Sequence, residues 1–229
     1  MDRTIVLSVL AAVFIAIGVG MLFPGGQRPQ NGPGMLPWDV TQTPDGAIRA
    51  FGIDLGRTTL ADAEQRFQDE AEASLFVKAD GQYVAEAYFD ELWLSGLKAK
   101  MVATLAGDQQ ALGEYYRHGV RIAKAPSGDA KITPASEDRR ALAGMPIAAL
   151  TYMPYSSLDD EVVRQRFGAP AETLTEDGEG IVHYLYPTHG LDIALSPNGK
   201  AVLQYVLPGE FARLRTPLSA DEAQGAAQN

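Results

Sequence analysis

The stretch HYLYPTHGLDIALSPNGKAVLQYV, residues 183–206, contains the side chains with the greatest capacity for chemistry. His183, His189 and Asp192 are residue types that bind Zn²⁺, and a metal-dependent hydrolase would place them around one ion. Alternate residues of a strand share a face, but Pro187 interrupts the register, so spacing alone does not bring the three together. The alternative is structural, with the rings packed in a sheet and their polar ends hydrated. The pattern favours this structural role, and we expect no catalytic, metal-binding or cofactor-binding residue.

Other catalytic chemistries find little support in the residue types. The chain has no cysteine, which excludes thiolate metal ligands, a cysteine nucleophile and an acylated N-terminal cysteine. Adjacent carboxylates such as Asp159 and Asp160 fit the first turn of a helix, where the macrodipole favours negative charge. The sequence therefore predicts a protein that is not an enzyme, and the hydrolase remains the alternative.

The distribution of charge narrows the class of partner. The formal net charge is −10, which argues against a nucleic-acid partner because phosphate binding requires a clustered positive surface. Residues 54–91 carry ten acidic and three basic residues, whereas residues 108–140 carry five acidic and six basic residues. The second segment is thus the least repulsive for an anionic partner or lipid headgroup, although an ordinary solvated surface explains it as well and is favoured.

The N-terminal segment predicts a membrane anchor. Residues 4–23, TIVLSVLAAVFIAIGVGMLF, carry no charge and match the roughly 20 residues that span a bilayer. The apolar core of a cleaved signal peptide is shorter, about 7 to 15 residues, so the segment favours a signal anchor over a cleaved signal. We expect residues 1–23 to form a single-pass anchor in the inner membrane, with the rest of the chain in the periplasm.

Two segments are expected to lie outside the folded domain. Residues 24–44 are rich in proline and glycine and predict a tether, unless Leu36 and Trp38 pack part of it on the domain. Residues 216–229 are small and polar and predict a disordered tail.

The residues between these ends predict an α+β fold of two related units, each a helix followed by antiparallel strands. TLAD at 59–62 and SLDD at 157–160 each offer a hydroxyl N-cap with a carboxylate three positions on. Asp-Gly turns at 80–81 and 177–178 precede aromatic strands, and the Asn-Gly of SPNGK predicts a hairpin. The expected apolar helix faces are Leu60, Ala63, Phe67, Ala71 and Leu75 in the first unit and Leu158, Val162, Val163 and Phe167 in the second.

These elements set the domain boundaries. We assign the first unit to residues 45–106, and connecting helices with the second unit to residues 107–215. Between the units, helices are expected near residues 108–118 and 136–143, and a strand over 147–152.

The second unit carries a family resemblance. Residues 156–206 hold a helix ending in Gly-Ala-Pro, an aromatic strand and a hairpin with Gly-Lys at its tip. This order resembles the small outer-membrane-assembly lipoproteins of the BamE (SmpA) type. Two such units in tandem are similar to the β-lactamase inhibitory proteins, whose known role is to bind another protein. The resemblance implies a protein-binding module with no chemistry of its own, although this chain has an apolar anchor in place of the family's acylated cysteine.

Together these features predict a periplasmic interaction module that binds another envelope protein, such as an assembly or accessory factor. Aromatic side chains on an exposed sheet would provide contact area at low entropic cost. The candidate partner-binding residues are Tyr184, Tyr186, His189 and Tyr205. A third possibility is a structural subunit of an inner-membrane complex, in which small residues from Ala16 to Gly20 allow close helix approach.

Overall fold

The structure, a computed structural model, describes residues 34–78, 80–124, 129–176 and 179–225. The expected anchor of residues 1–23 and the Asp-Gly turn at 177–178 lie outside these ranges. None of the helices within the described ranges has the length and apolar composition needed to cross a bilayer.

The described residues form an α+β fold in which helices pack on a large antiparallel sheet. Its helices are α1 (Leu60–Phe67), α2 (Gln109–His118), α3 (Ser136–Ala143), α4 (Asp160–Phe167) and α5 (Ala212–Gly225). Its strands are β1 (Thr41–Gln42), β2 (Ile48–Ala50), β3 (Ile53–Asp54), β4 (Glu72–Val77), β5 (Tyr83–Leu94), β6 (Leu97–Leu105), β7 (Arg121–Lys124), β8 (Ala130–Thr133), β9 (Ile147–Pro154), β10 (Glu172–Thr175), β11 (Val182–Tyr186), β12 (Leu191–Leu195) and β13 (Ala201–Val206).

One sheet of ten strands runs through the molecule in the order β10-β11-β12-β13-β9-β6-β5-β4-β8-β7, and a smaller sheet contains β1 to β3. Helix α1 precedes the β4-β5-β6 meander, and helix α4 precedes the β10-to-β13 meander. Strand β9 joins the two halves because it pairs antiparallel with both β6 and β13. The two expected units therefore contribute to one sheet and share a core.

The main core lies between one face of this sheet and four helices. Helices α1 to α4 contribute buried apolar side chains to it, together with inward residues of strands from both halves. The helix residues in this core are Leu60, Ala63 and Phe67 of α1, Leu112 of α2, Leu142 of α3 and Val163 of α4.

The opposite face of the sheet is covered at one end by helix α5. Phe211 and Leu218 pack there with Leu174, Leu185 and Val206 in a second, smaller cluster. The sequence predicts a disordered tail from residue 216, but the helix continues to Gly225 and Leu218 is buried. That prediction is wrong for residues 216–218, because Leu218 packs on the apolar end of the sheet, and the described backbone is helical as far as Gly225.

Part of the expected tether is also folded onto the domain. Met35 is buried in the main core, and the carbonyl oxygen of Pro37 accepts a hydrogen bond of 2.7 Å from the hydroxyl of Tyr205. The ring of Trp38 lies edge-on to Phe167 with centroids 6.0 Å apart. The tether prediction is therefore wrong for residues 34–44, where the alternative of packing through Trp38 is found.

Two helix boundaries differ from the sequence expectation. The Thr59 capping box with Asp62 is confirmed, but α1 ends at Phe67, where Gln68 adopts a left-handed conformation, so Leu75 lies in a strand. Helix α4 starts at Asp160 with Asp159 as its N-cap, so Ser157 does not cap it. An aspartate serves as well as a serine at this position, because its carboxylate accepts from the backbone N–H of Val162.

Candidate functional site

The three tyrosines predicted to face a partner are buried instead. Tyr184, Tyr186 and Tyr205 all lie in the main core on the helix-covered side of the sheet. Each hydroxyl donates a hydrogen bond, to Asp160, to the backbone oxygen of Gly168 and to Pro37 respectively. They hold α4 and the segment around Pro37 on the sheet. The prediction of a docking surface at these tyrosines is therefore wrong.

Burial also changes how these hydroxyls ionise. Burial, reinforced by the hydrogen bond to the Asp160 carboxylate, raises the pKa of Tyr184 to about 12.

The fourth predicted residue, His189, is partly exposed and ends a short 3₁₀ turn over Pro187–His189. The structure shows no feature that assigns it to a binding surface.

His183 forms a buried ionic cluster on the opposite face of the sheet from the three tyrosines. Its Nδ1 lies 2.9 Å from Oδ2 of Asp192, and its Nε2 lies 2.9 Å from Oε1 of Glu176. Burial lowers the pKa of His183, but the hydrogen bonds to Asp192 and Glu176 outweigh it and raise the pKa to about 9. With a carboxylate acceptor at each nitrogen, the ring acts as a donor on both sides, as an imidazolium.

This cluster does not form the metal site that the sequence allowed. The two carboxylates lie at opposite edges of the imidazole and occupy both nitrogens, so no lone pair of the ring is left for an ion. Among the described residues, no three histidine, aspartate or glutamate side chains converge as metal ligands. The proposed set of His183, His189 and Asp192 is not assembled here.

The middle of the sheet face opposite the main core presents a different surface, which we call the open face. Its apolar residues are Val102, Met153, Tyr88 and Val202, all on strands, whereas the core residues of α1 to α4 lie on the other side and those of α5 lie at one end. Val102 and Met153 are 8% exposed, so the strand side chains largely cover one another. The open face thus has apolar strand residues at its centre, and within the described residues no apolar side chain of a helix packs against them.

A lysine held between two aromatic rings lies on the open face. The Nζ of Lys98 is 4.8 Å from the ring centroid of Tyr155 and 5.8 Å from that of Trp93. The same amine forms an ion pair with Glu91. Tyr155 is 54% exposed, which makes it one of three large apolar or aromatic side chains exposed in the described residues. We call Glu91, Trp93, Lys98 and Tyr155 the Lys98 cluster.

A β-bulge positions the Lys98 cluster. Strand β5 pairs Phe89 with Met101 and Leu92 with Ala99, so Asp90 and Glu91 oppose a single residue of β6. Phe89 and Leu92 both face the main core, although three positions separate them. The bulge therefore lets the side chain of Leu92 face the core as that of Phe89 does, while the carboxylates of Asp90 and Glu91 stay outside the core.

Both carboxylates of the bulge pair with lysines of β6. Asp90 accepts hydrogen bonds of 2.9 Å from Lys100 and 2.7 Å from the Tyr88 hydroxyl. Burial lowers the pKa of Lys100, but its bonds with Tyr88 and Asp90 outweigh this and raise it above its usual value. Because Glu91 pairs with Lys98, the open face carries balanced charges beside the exposed ring of Tyr155 and the half-buried ring of Trp93.

Ser95 and Lys98 have the Ser-x-x-Lys spacing found in some serine acyl-transfer enzymes, which is a further chemical possibility. The structure places Ser95 in the two-residue β5–β6 turn, with φ of 47° at Ser95 and 82° at Gly96, as a type I′ turn requires. The Lys98 amine contacts Glu91, Trp93 and Tyr155. The spacing therefore belongs to a hairpin, and its lysine is engaged as a cation.

The Lys98 cluster was not singled out from the sequence. A signal for it was present, because the apolar phase of β5 changes from odd positions at Ala85, Ala87 and Phe89 to even positions at Leu92 and Leu94. Such a phase change indicates a bulge and predicts that Trp93 faces away from the core.

Comparison with known protein families, curated proteins and solved structures finds no match to this chain.

Proposed function

We propose that this chain is a membrane-anchored periplasmic protein-interaction module without catalytic activity, acting as an envelope assembly or accessory factor. The open face docks its protein partner, and the Lys98 cluster is the anchor of that contact. The observation that carries the proposal is the exposed Tyr155 beside Trp93 and Lys98, on a part of the sheet where no helix core residue of the described chain packs.

The composition of the open face fits a protein interface. Aromatic residues and methionine are enriched at the centres of such interfaces, and fully desolvated aromatic anchors supply most of the binding free energy. Here Trp93 and Tyr88 lie on β5 and Met153 lies on β9, the two strands that flank β6 in the sheet, and Tyr155 directly follows β9. Lys98 is already oriented by Glu91 and the two rings, so little side-chain entropy is lost when a partner covers it.

The envelope location rests on the sequence. The uncharged residues 4–23 provide an anchor of bilayer length, and in this proposal residues 24–33 are the tether that holds the domain near the membrane. In this proposal the two helix-then-sheet units are related copies, as in the β-lactamase inhibitory proteins that the tandem arrangement resembles. Active alkaline phosphatase fused after residue 225 tests the location, because that enzyme folds only outside the cytoplasm. An inactive fusion overturns this part.

Docking is tested by crosslinking in intact cells that express the full-length tagged chain. The test variant is Trp93→Ser/Tyr155→Ser, and the matched control is Gln65→Ser/Gln165→Ser, which changes exposed residues of α1 and α4 on the other side of the domain. We expect a discrete crosslinked species with wild type and control that is lost with the test variant, while thermal unfolding remains cooperative in all three. A species retained by the test variant, or the absence of any species with wild type, overturns the proposal.

A further inference from the structure

A second surface, separate from the open face, lies at one edge of the large sheet. Strand β7 is the terminal strand and pairs, within the described residues, only with β8. One row of its backbone N–H and C=O groups therefore has no partner strand in the described chain. An edge of this kind can accept an additional strand from another polypeptide.

This edge also exposes aliphatic side chains. Val120 is 70% exposed and Ile122 is 71% exposed, and with Tyr155 they are the large apolar or aromatic side chains exposed in the described residues. Ile122 pairs across the strands with Ile132, which is buried in the main core. Because directly opposed residues share a face, the side chain of Ile122 lies on the same face of the sheet as the core residue Ile132, out on the edge strand. Val120 is two positions earlier in the chain, so its side chain is expected on that face as well.

The local charge indicates what kind of strand fits. Residues 115–128 contain Arg117, Arg121 and Lys124 and no acidic residue, in a chain whose net charge is −10. A second copy of β7 would bring its own Arg121 and Lys124 to this basic segment, and like charges across a strand pair are destabilising. An acidic strand brings negative charge to the basic residues of this segment, and apolar side chains at its alternate positions cover Val120 and Ile122.

We propose that the β7 edge binds an extended acidic segment of a partner protein by β-strand addition, with aliphatic residues at alternate positions of that segment packing on Val120 and Ile122. This surface is independent of the open face. Since β7 has four residues, the added strand forms few backbone hydrogen bonds, and the interaction is weak unless the partner also binds elsewhere.

The test uses the purified full-length chain and fluorescein-labelled peptides, measured by fluorescence anisotropy. The probe is Glu-Val-Glu-Ile-Glu-Val-Glu. One control peptide replaces every Glu by Lys, and another replaces the central Ile by Pro, which cannot complete a strand ladder. We expect the acidic probe to bind about tenfold or more tightly than either control, which is the loss of affinity typical when one important interface side chain is removed.

Variants locate the bound peptide. Ile122→Glu, at an exposed position, is expected to weaken probe binding by about tenfold or more, whereas Tyr155→Ser on the open face leaves it unchanged. Equal binding of the Pro peptide shows nonspecific charge attraction, and it overturns the proposal, as does unchanged binding by Ile122→Glu. Self-association that the probe does not disrupt, observed by sedimentation velocity and lost in Ile122→Glu, assigns the edge to a second copy and overturns it too. Because Tyr155→Ser is measured in parallel, failure here is distinguishable from failure of docking at the open face.

Discussion

His183 donates one ring N–H to Asp192 and the other to Glu176, over 2.9 Å in each case, in a site where His183 and Asp192 are each 2% exposed. The ring links three segments, since His183 lies on β11, Asp192 on β12 and Glu176 just after β10. The protonated ring therefore links these segments through two ion pairs, and we call His183, Asp192 and Glu176 the His183 clasp. A sequence pattern suggestive of a metal site thus has a structural role.

The clasp makes stability depend on pH. The pKa of His183 is about 9 in the folded chain and about 6.5 when unfolded, so its contribution is fully present below pH 6.5 and is lost as pH rises through 9. The loss amounts to about 3 kcal/mol in the free energy of unfolding. Urea unfolding between pH 6 and 10 should show this decline in wild type and in His189→Gln but not in His183→Gln. A parallel decline in all three would show that other groups cause it.

Removing His183 alone should leave Asp192 buried without its partner. His183→Leu is expected to lower the free energy of unfolding by about 3 to 5 kcal/mol, the usual cost of breaking a buried ion pair. The double variant His183→Leu/Asp192→Leu should be more stable than His183→Leu, because it removes the stranded carboxylate. Urea unfolding at pH 7 compares the two, and a double variant less stable than the single would argue against this explanation.

Two neighbouring tyrosines should respond oppositely to loss of their hydroxyls. The Tyr205 hydroxyl donates to Pro37, whereas the buried Tyr152 hydroxyl has no hydrogen-bond partner among the described residues. Tyr205→Phe should cost about 1 to 3 kcal/mol because it leaves a buried carbonyl unpaired, while Tyr152→Phe should be neutral or stabilising. Thermal unfolding of the two variants checks this. Equal destabilisation would mean that the Tyr152 hydroxyl does make a stabilising contact.

The bulge in β5 makes an unusual deletion tolerable. Without Glu91, Asp90 alone opposes Lys100, and Leu92 still faces the core, so the strand becomes regular. Deletion of Glu91 should cost about 1 kcal/mol, mainly the surface ion pair with Lys98. Deletion of Gln204 from the regular strand β13 should abolish cooperative unfolding, because every side chain after the deletion moves to the opposite face of the sheet. Circular dichroism during thermal unfolding compares the two, and an unfolded Glu91 deletion would contradict this account of the bulge.

Much of the fold could be predicted where local chemistry determines the element. The Thr59 capping box, the α2 and α3 helices and the Asn198-Gly199 hairpin are confirmed. Local contacts explain three of these, because Thr59 and Asp108 cap α1 and α2 and Gly199 supplies the positive φ of the hairpin turn. Helix α1 was predicted to be too long because its stop is Gln68, a residue without glycine's preference for positive φ.

The candidate site could not be predicted in the same way, because it depends on which face of the sheet is covered. Strands β11 to β13 are buried on both faces at the end covered by α5, so their alternation does not reveal an open side. The sequence analysis assigned Tyr184, Tyr186 and Tyr205 to an exposed surface, but they lie on the face that α1 to α4 cover. The open face lies instead on β5, β6 and β9 and on Val202 of β13, and the phase change at the β5 bulge was the local signal for it.

Site-specific photocrosslinking in cells tests the central claim most directly. A photoreactive phenylalanine analogue is placed at Tyr155 or Trp93 on the open face, or at Gln65 or Gln165 on exposed positions of α1 and α4. The proposal predicts that both open-face positions form the same protein adduct and that the two helix positions do not. Adducts of equal yield from the helix positions, or none from Tyr155 and Trp93, would contradict docking at the open face.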